Sequence, residues 1–136
     1  MSLTLGTEVR LAMSFADALD RTRAALQTEG FGILTTIDMQ KAFRDKLGAD
    51  FRPYTILGAC NPPLAHKALN ASPEIGLLLP CNVTVDEITP GLCIVRLVNP
   101  LAMLGPDPAS QPLELQQVAS DAEARLRRVA AVLAQS

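Results

Sequence analysis

Two consecutive prolines, Pro62 and Pro63, follow a strand-like run, Tyr54-Thr55-Ile56-Leu57-Gly58-Ala59-Cys60. Neither has an N–H, and each fixes φ at about −65°, so the pair fits the first turn of a helix. The chain must therefore pass from extended backbone into helix at Cys60-Asn61. Further on, Leu79-Pro80-Cys81-Asn82 repeats the association of cysteine, asparagine and proline at a second strand-like run. Packing alone is a poor explanation for two such segments, and they are candidates for one shared site.

The rest of the chain is punctuated in the same way. Thr7 to Met13 alternates, with Val9, Leu11 and Met13 on one face, which predicts a half-buried strand. Ser14 caps a helix with an inward stripe of Phe15, Leu19, Thr22 and Leu26. Asp17 and Arg21 pair along it, and Gly30 ends it. Phe31 to Ile37 reads as a second strand. Asp38 then caps a short helix that turns Met39, Ala42, Phe43 and Leu47 inward and stops at Gly48.

Tyr54 to Cys60 is the third strand, followed by a helix to about Ala71 and a capped turn at Ser72-Pro73-Glu74. Leu77 to Val85 reads as the fourth strand. Pro80 within it lacks a ladder donor, which predicts an edge position or a bulge. Pro90-Gly91 turns the chain back into a hairpin partner, Leu92 to Val98. Asn99 to Pro112 is a proline-rich loop with one turn at Leu101 to Leu104. The final helix, Pro112 to Ala134, buries Leu115, Val118, Ala122, Leu126, Val129 and Leu133. Asp121–Arg125 and Glu123–Arg127 lace its outer face.

The expected order is β-α-β-α-β-α-β-β-α, an α+β fold with a single mostly antiparallel sheet and helices packed on one face. At 136 residues and 49% hydrophobic content the chain fits one domain with its own core. Residues 105–111 form the loop leading to the last helix, and residues 1–5 a disordered or vector-derived start. Met1-Ser2-Leu3 has the form of a vector remnant, so a trimmed export signal stays open beside the default cytoplasmic location.

A net charge of −2, four Phe, one Tyr and no Trp argue against a nucleic-acid partner. The basic residues Lys41, Arg44, Lys46, Arg52 and Lys67 alternate with Asp38, Asp45 and Asp50, the pattern of a solvated surface. Three cysteines do not make a secreted disulfide framework, and the apolar run Ile75 to Leu79 is too short to span a membrane.

Cys60 is expected at a helix N-terminus, where free amides and the helix dipole favour a thiolate. An inert cysteine closing a turn is the alternative. Cys81 alternates with Val83 and Val85 and so faces the core, where it is a candidate partner for Cys60; these two are the candidate catalytic residues. Cys93, in Leu92-Cys93-Ile94-Val95, reads as core filler. The candidate ligand-binding residues are Tyr54, Asn61, Asn82, Arg52 and His66. Asn61 caps the following helix or presents its amide to a ligand. Tyr54 beside Arg52 suits an interface or an anion, and His66 is a general base or an exposed helix residue. Cys60, Cys81 and His66 match no zinc spacing, so no metal and no other cofactor is expected.

Tyr54 to Asn61, Phe51-Arg52-Pro53-Tyr54 and Pro73-Glu74-Ile75-Gly76-Leu77-Leu78-Leu79-Pro80-Cys81-Asn82 resemble the domain-of-unknown-function 302 family, as do Gly30 to Thr35 and Lys46-Leu47-Gly48. The resemblance spans nearly the whole chain. It implies a compact α+β fold like one copy of the TATA-binding-protein repeat, assembled as a homodimer. It implies neither DNA binding nor a reaction. Two functions follow as expectations. One is a small-ligand or thiol site at Cys60 and Cys81. The other is a structural or interaction domain whose Cys-Asn-Pro segments shape turns and a dimer surface.

Overall fold

The structure, a computed structural model, describes residues 5–136. The vector-like start at Met1-Ser2-Leu3 lies outside them. The elements run β1 (Gly6–Leu11), α1 (Phe15–Thr28), β2 (Gly32–Asp38), α2 (Met39–Leu47), β3 (Tyr54–Cys60) and α3 (Pro62–Ala71), then β4 (Cys81–Thr89), β5 (Leu92–Val98) and α4 (Leu113–Ala134). Short 3-10 turns occupy Pro73–Leu78, Pro100–Leu104 and Pro108–Ser110. The α+β order is the expected one.

The five strands form one antiparallel sheet in the order β1-β5-β4-β3-β2. Strand parity decides what faces the helices. Val9 and Leu11, Leu57 and Ala59, Val83 and Val85, and Cys93, Val95 and Leu97 all point to one side. There they bury against Ala18, Ala25 and Leu26 of α1 and Leu126, Val129, Ala130 and Leu133 of α4. Leu64 and Ala68 of α3 join Leu115, Val118, Ala119 and Ala122 of α4 in a second cluster, together with Ile75 and Leu104 from the turns.

The local stops act as expected. Ser14 Oγ accepts from Asp17 N at 3.1 Å and Asp38 Oδ1 from Lys41 N at 3.0 Å. Gly48 ends α2 with φ 63°, a conformation that suits glycine. The amphipathic reading of α2 holds less well. Met39, Ala42 and Phe43 are half-buried, with Phe43 edge-to-face on Phe51, but Leu47 is 72% exposed. Asp17 and Arg21 do not pair among the described residues; the pairs on α4, Asp121–Arg125 and Glu123–Arg127, form.

The fourth strand differs from expectation. Leu77 and Leu78 lie in a 3-10 turn, and the strand begins at Cys81, one residue after Pro80. The ladder explains this. Cys81 pairs with Ala59, and beyond Cys60 the chain turns into α3, so residues before Cys81 have no strand to bond to. Nor is β4 an edge: it lies between β5 and β3, and Pro80 is accommodated by preceding it. The bulges fall elsewhere, between Ile33 and Thr35 and between Glu87 and Thr89. The edge strands are β1 and β2, and on β2 Leu34 is 66% and Ile37 45% accessible.

Candidate functional site

The two Cys-Asn segments meet because β3 and β4 are neighbours. Ala59 pairs with Cys81, so Cys60, the last residue of β3, and Cys81, the first of β4, lie at the same end of the ladder. Both line a cavity of about 340 Å³. Its floor is the end of β3 and start of β4, with Phe31 and Leu34 on one side. Leu64, Ala65, Ala68 and Leu69 of α3 and Val118 and Ala122 of α4 form the roof. Gly76, Leu79, Pro80 and Met103 complete it.

Asn61 is the one side chain in this lining that carries nitrogen or oxygen, and both ends of its amide are engaged. Oδ1 accepts from Leu64 N at 3.3 Å, capping α3, and Nδ2 donates to Glu29 O at 3.3 Å, at the end of α1. Arg125 Nη1 donates to the same Glu29 carbonyl at 3.1 Å. Asn61 therefore ties two helix ends together, with one amide hydrogen and one lone pair committed to that structural role.

The start of α3 offers little of the amide stabilisation on which a thiolate at Cys60 was expected to rest. Pro62 and Pro63 have no N–H, Leu64 N is bonded to Asn61 Oδ1, and Ala65 N to Asn61 O at 2.9 Å. No free amide is left to stabilise a negative sulfur. Burial then dominates and pushes the Cys60 thiol up. It pushes Cys81 up to about 11, with the neighbouring Cys60 charge as a second cause. Both shifts favour the neutral thiol over the thiolate. Cys93 is fully buried, and its Sγ donates to Met13 O at 3.6 Å.

The remaining candidate residues lie elsewhere. His66 is exposed on the outer side of α3, its Nε2 3.4 Å from Asn70 Nδ2, because Leu64 and Ala68 take the inward positions. Tyr54 and Asn82 have the opposite parity from Leu57 and Val83. They line a shallow depression on the other face of the sheet, with Thr84 and Arg96. Arg52 is not free to meet an anion. It holds Asp86 and stacks over the Phe51 ring at 4.7 Å. Asp86 in turn meets Arg96, and Arg96 meets Glu8, so this face carries an internally paired charge ladder.

The sequence reading missed the roof: Leu64, Ala68, Val118 and Ala122, and Met103 in the turn after β5. One signal was available. Ala65, Ala68, Ala122 and Gly76 put little side-chain volume at positions that face one another, and that leaves the space.

The geometry has a counterpart among known proteins. A family model described as "Domain of unknown function DUF302" matches residues 7–133. The chain belongs to the DUF302 family. A DUF302 crystal structure, that of an uncharacterized conserved protein from Bacillus stearothermophilus, is similar to it over 96% of this chain and 98% of that one. The TM-score is 0.81 at 28% sequence identity. A search of curated proteins gives no match. No helix among the described residues is long and apolar enough to cross a membrane.

Proposed function

We propose that this DUF302 domain binds an uncharged, apolar small molecule in the cavity between the β3–β4 ends and helices α3 and α4. Cys60 and Cys81 serve as soft, polarizable contacts and not as nucleophiles. The observation that carries this reading is the lining. A pocket of about 340 Å³ carries no charged side chain in its lining, and each end of its single side-chain amide already holds a hydrogen bond. A carboxylate, phosphate, sugar or amino acid would lose its hydration there without replacement, at a cost of several kcal/mol (roughly 2–7 for a neutral polar group). A hydrocarbon or aromatic ligand loses nothing polar and gains about 25 cal/mol per Å² of buried surface. A matched pair of probes tests it. 1-Octanol should bind at least tenfold more tightly than octanoate at pH 8, whereas equal or tighter octanoate binding contradicts the reading.

The exposed leucines favour a second reading, a homodimer. Leu34 and Leu69 reach from the cavity wall to the surface, and Leu77 and Leu78, on the adjoining turn, are 89% and 57% accessible. Together with the open edge of β2 they offer an apolar surface and unpaired backbone groups, which suit a symmetric pair. Sedimentation should give a dimer mass that falls toward monomer in Leu77→Glu; a wild-type monomer at all concentrations rules it out.

A further inference from the structure

The burial of its wall gives the cavity a direction. Leu34, Leu69 and Gly76 are exposed and form the mouth. Phe31, Ala59, Ala68 and Ala122, each at most 4% exposed, form the closed end. Asn61 belongs to that end. It is only 8% exposed, and its side chain bonds to Glu29 O, two residues before Phe31, and to Leu64 N.

A side-chain amide has two N–H donors and an oxygen with two lone pairs. Glu29 O takes one hydrogen and Leu64 N one lone pair, and these two bonds fix which end of the amide is nitrogen. Among the described residues nothing takes the second hydrogen or the second lone pair. The rest of the lining offers no side-chain nitrogen or oxygen, so one donor and one acceptor stand open together in an apolar wall. Buried polar groups left in that state are costly until a partner reaches them.

We propose that the ligand carries a single hydroxyl, bound head-first at Asn61 with its hydrocarbon tail running out between Leu34 and Leu69: a medium-chain alcohol. The inference rests on the apolar-cavity reading and names the class of ligand for it. A hydroxyl both donates and accepts, so one group answers both open positions of the amide. An ether accepts only, and a hydrocarbon does neither. A second polar group would meet no partner along the walls. Asn61 is held at both ends before any ligand arrives, so little ordering of the amide opposes binding. A volume of about 340 Å³ lies at the small end of ligand pockets, which favours a chain of medium length over a full lipid.

The test ranks uncharged volatile probes of equal heavy-atom count, 1-hexanol, pentyl methyl ether and heptane, by headspace gas chromatography over the full chain. Each affinity is divided by the probe's hexadecane–water partition coefficient, which removes differences in hydration. On that scale 1-hexanol should exceed heptane by about tenfold or more, with the ether between them. 3-Hexanol, whose hydroxyl sits within the chain, should fall below 1-hexanol. In Asn61→Ala the advantage of 1-hexanol over heptane should shrink to less than about threefold. Equal scaled affinities for 1-hexanol and heptane in wild type overturn the inference, as does an undiminished advantage in Asn61→Ala. Where Asn61→Ala has lost its circular dichroism, the wild-type pair of hexanols decides, and equal affinity for the two overturns the head-first pose. Heptane binding with no advantage for the alcohol removes the hydroxyl alone and leaves the apolar cavity standing. Binding by none of the probes removes both.

Discussion

Arg52 holds Asp86 through two bonds, Nε to Oδ1 at 2.6 Å and Nη2 to Oδ2 at 3.2 Å, on a carboxylate side chain with no solvent exposure. Arg96 Nη1 reaches Oδ2 from the other side at 2.8 Å. Burial acts to raise the Asp86 carboxyl, but the hydrogen bonds and charges of Arg52 and Arg96 outweigh it and hold the group below its ordinary value.

Asp86→Asn should therefore destabilise the fold by about 2–3 kcal/mol, at the low end for a broken buried pair because the guanidinium groups are partly solvated. Arg52→Ala, which leaves Arg96 in place, should cost less. Urea denaturation of the two variants ranks them. A larger loss from Arg52→Ala than from Asp86→Asn contradicts this account.

The same carboxylate sets an acid limit. A depressed native pKa means that the stabilisation is complete above the ordinary carboxylate range and disappears as pH falls through the native value. The wild-type melting temperature should drop steeply below about pH 4, and Asp86→Asn should flatten that slope. Parallel curves for both proteins would remove Asp86 from the explanation.

Much of the fold was legible because the breaks are local. Gly30, Gly48, Pro62-Pro63 and Pro90-Gly91 act on their own backbone, and each ends or starts the element expected of it. Leu77-Leu78-Leu79 misled because an apolar run is compatible with a strand, while the ladder that would receive it ends at Ala59. Parity also carried real information: Cys81 shares the parity of Val83 and Val85, and it is half-buried in the lining of the cavity. Applied to Asn82, the same parity sends it to the face opposite Cys81, while Tyr54, which has the parity of Cys60, lies at the far end of β3 and lines the depression on that other face. The cavity itself was not legible, since it exists only where the alanines of α3 and α4 come together. For Cys60 the general expectation for helix N-termini passed over a detail present in the sequence, the missing amides of Pro62 and Pro63.

Gly58 is required by a close approach. A Cβ at this position would run into Thr35 Oγ1 and come within 2.8 Å of Pro80 Cγ. Gly58→Ala should cost about 1–3 kcal/mol, with part of it recovered in the Gly58→Ala, Thr35→Ala pair. Thermal melts of the single and double variants test this. An unchanged single variant would show that the crowding is relieved without cost.

Asn61→Ala removes a helix cap and the bridge to Glu29, and should cost about 1–2 kcal/mol. Asn61→Asp keeps the acceptor for Leu64 N but loses the donor to Glu29 O, so its stability should fall between wild type and Asn61→Ala. Denaturant midpoints in that order support a double role. Equal midpoints for the two variants would reduce Asn61 to a bridge alone.

Peptide-resolved alkylation should find both cavity cysteines slow at pH 7, with Cys81 gaining rate up to about pH 11. Removing the neighbouring charge in Cys60→Ser should lower the Cys81 midpoint. Fast reaction of either residue at pH 6 would restore the thiolate that the capped and proline-blocked start of α3 argues against.

The most direct measurement is fluorescence titration of the protein with N-phenyl-1-naphthylamine, an uncharged apolar dye, in wild type and in Ala65→Phe. Ala65 lines the cavity and is half-buried, so phenylalanine there fills the space without rebuilding the core. The account predicts a saturable rise at one dye per chain that is lost in Ala65→Phe and unchanged in Arg52→Ala. No saturable binding by wild type, or equal binding by Ala65→Phe, would contradict an apolar ligand in this cavity.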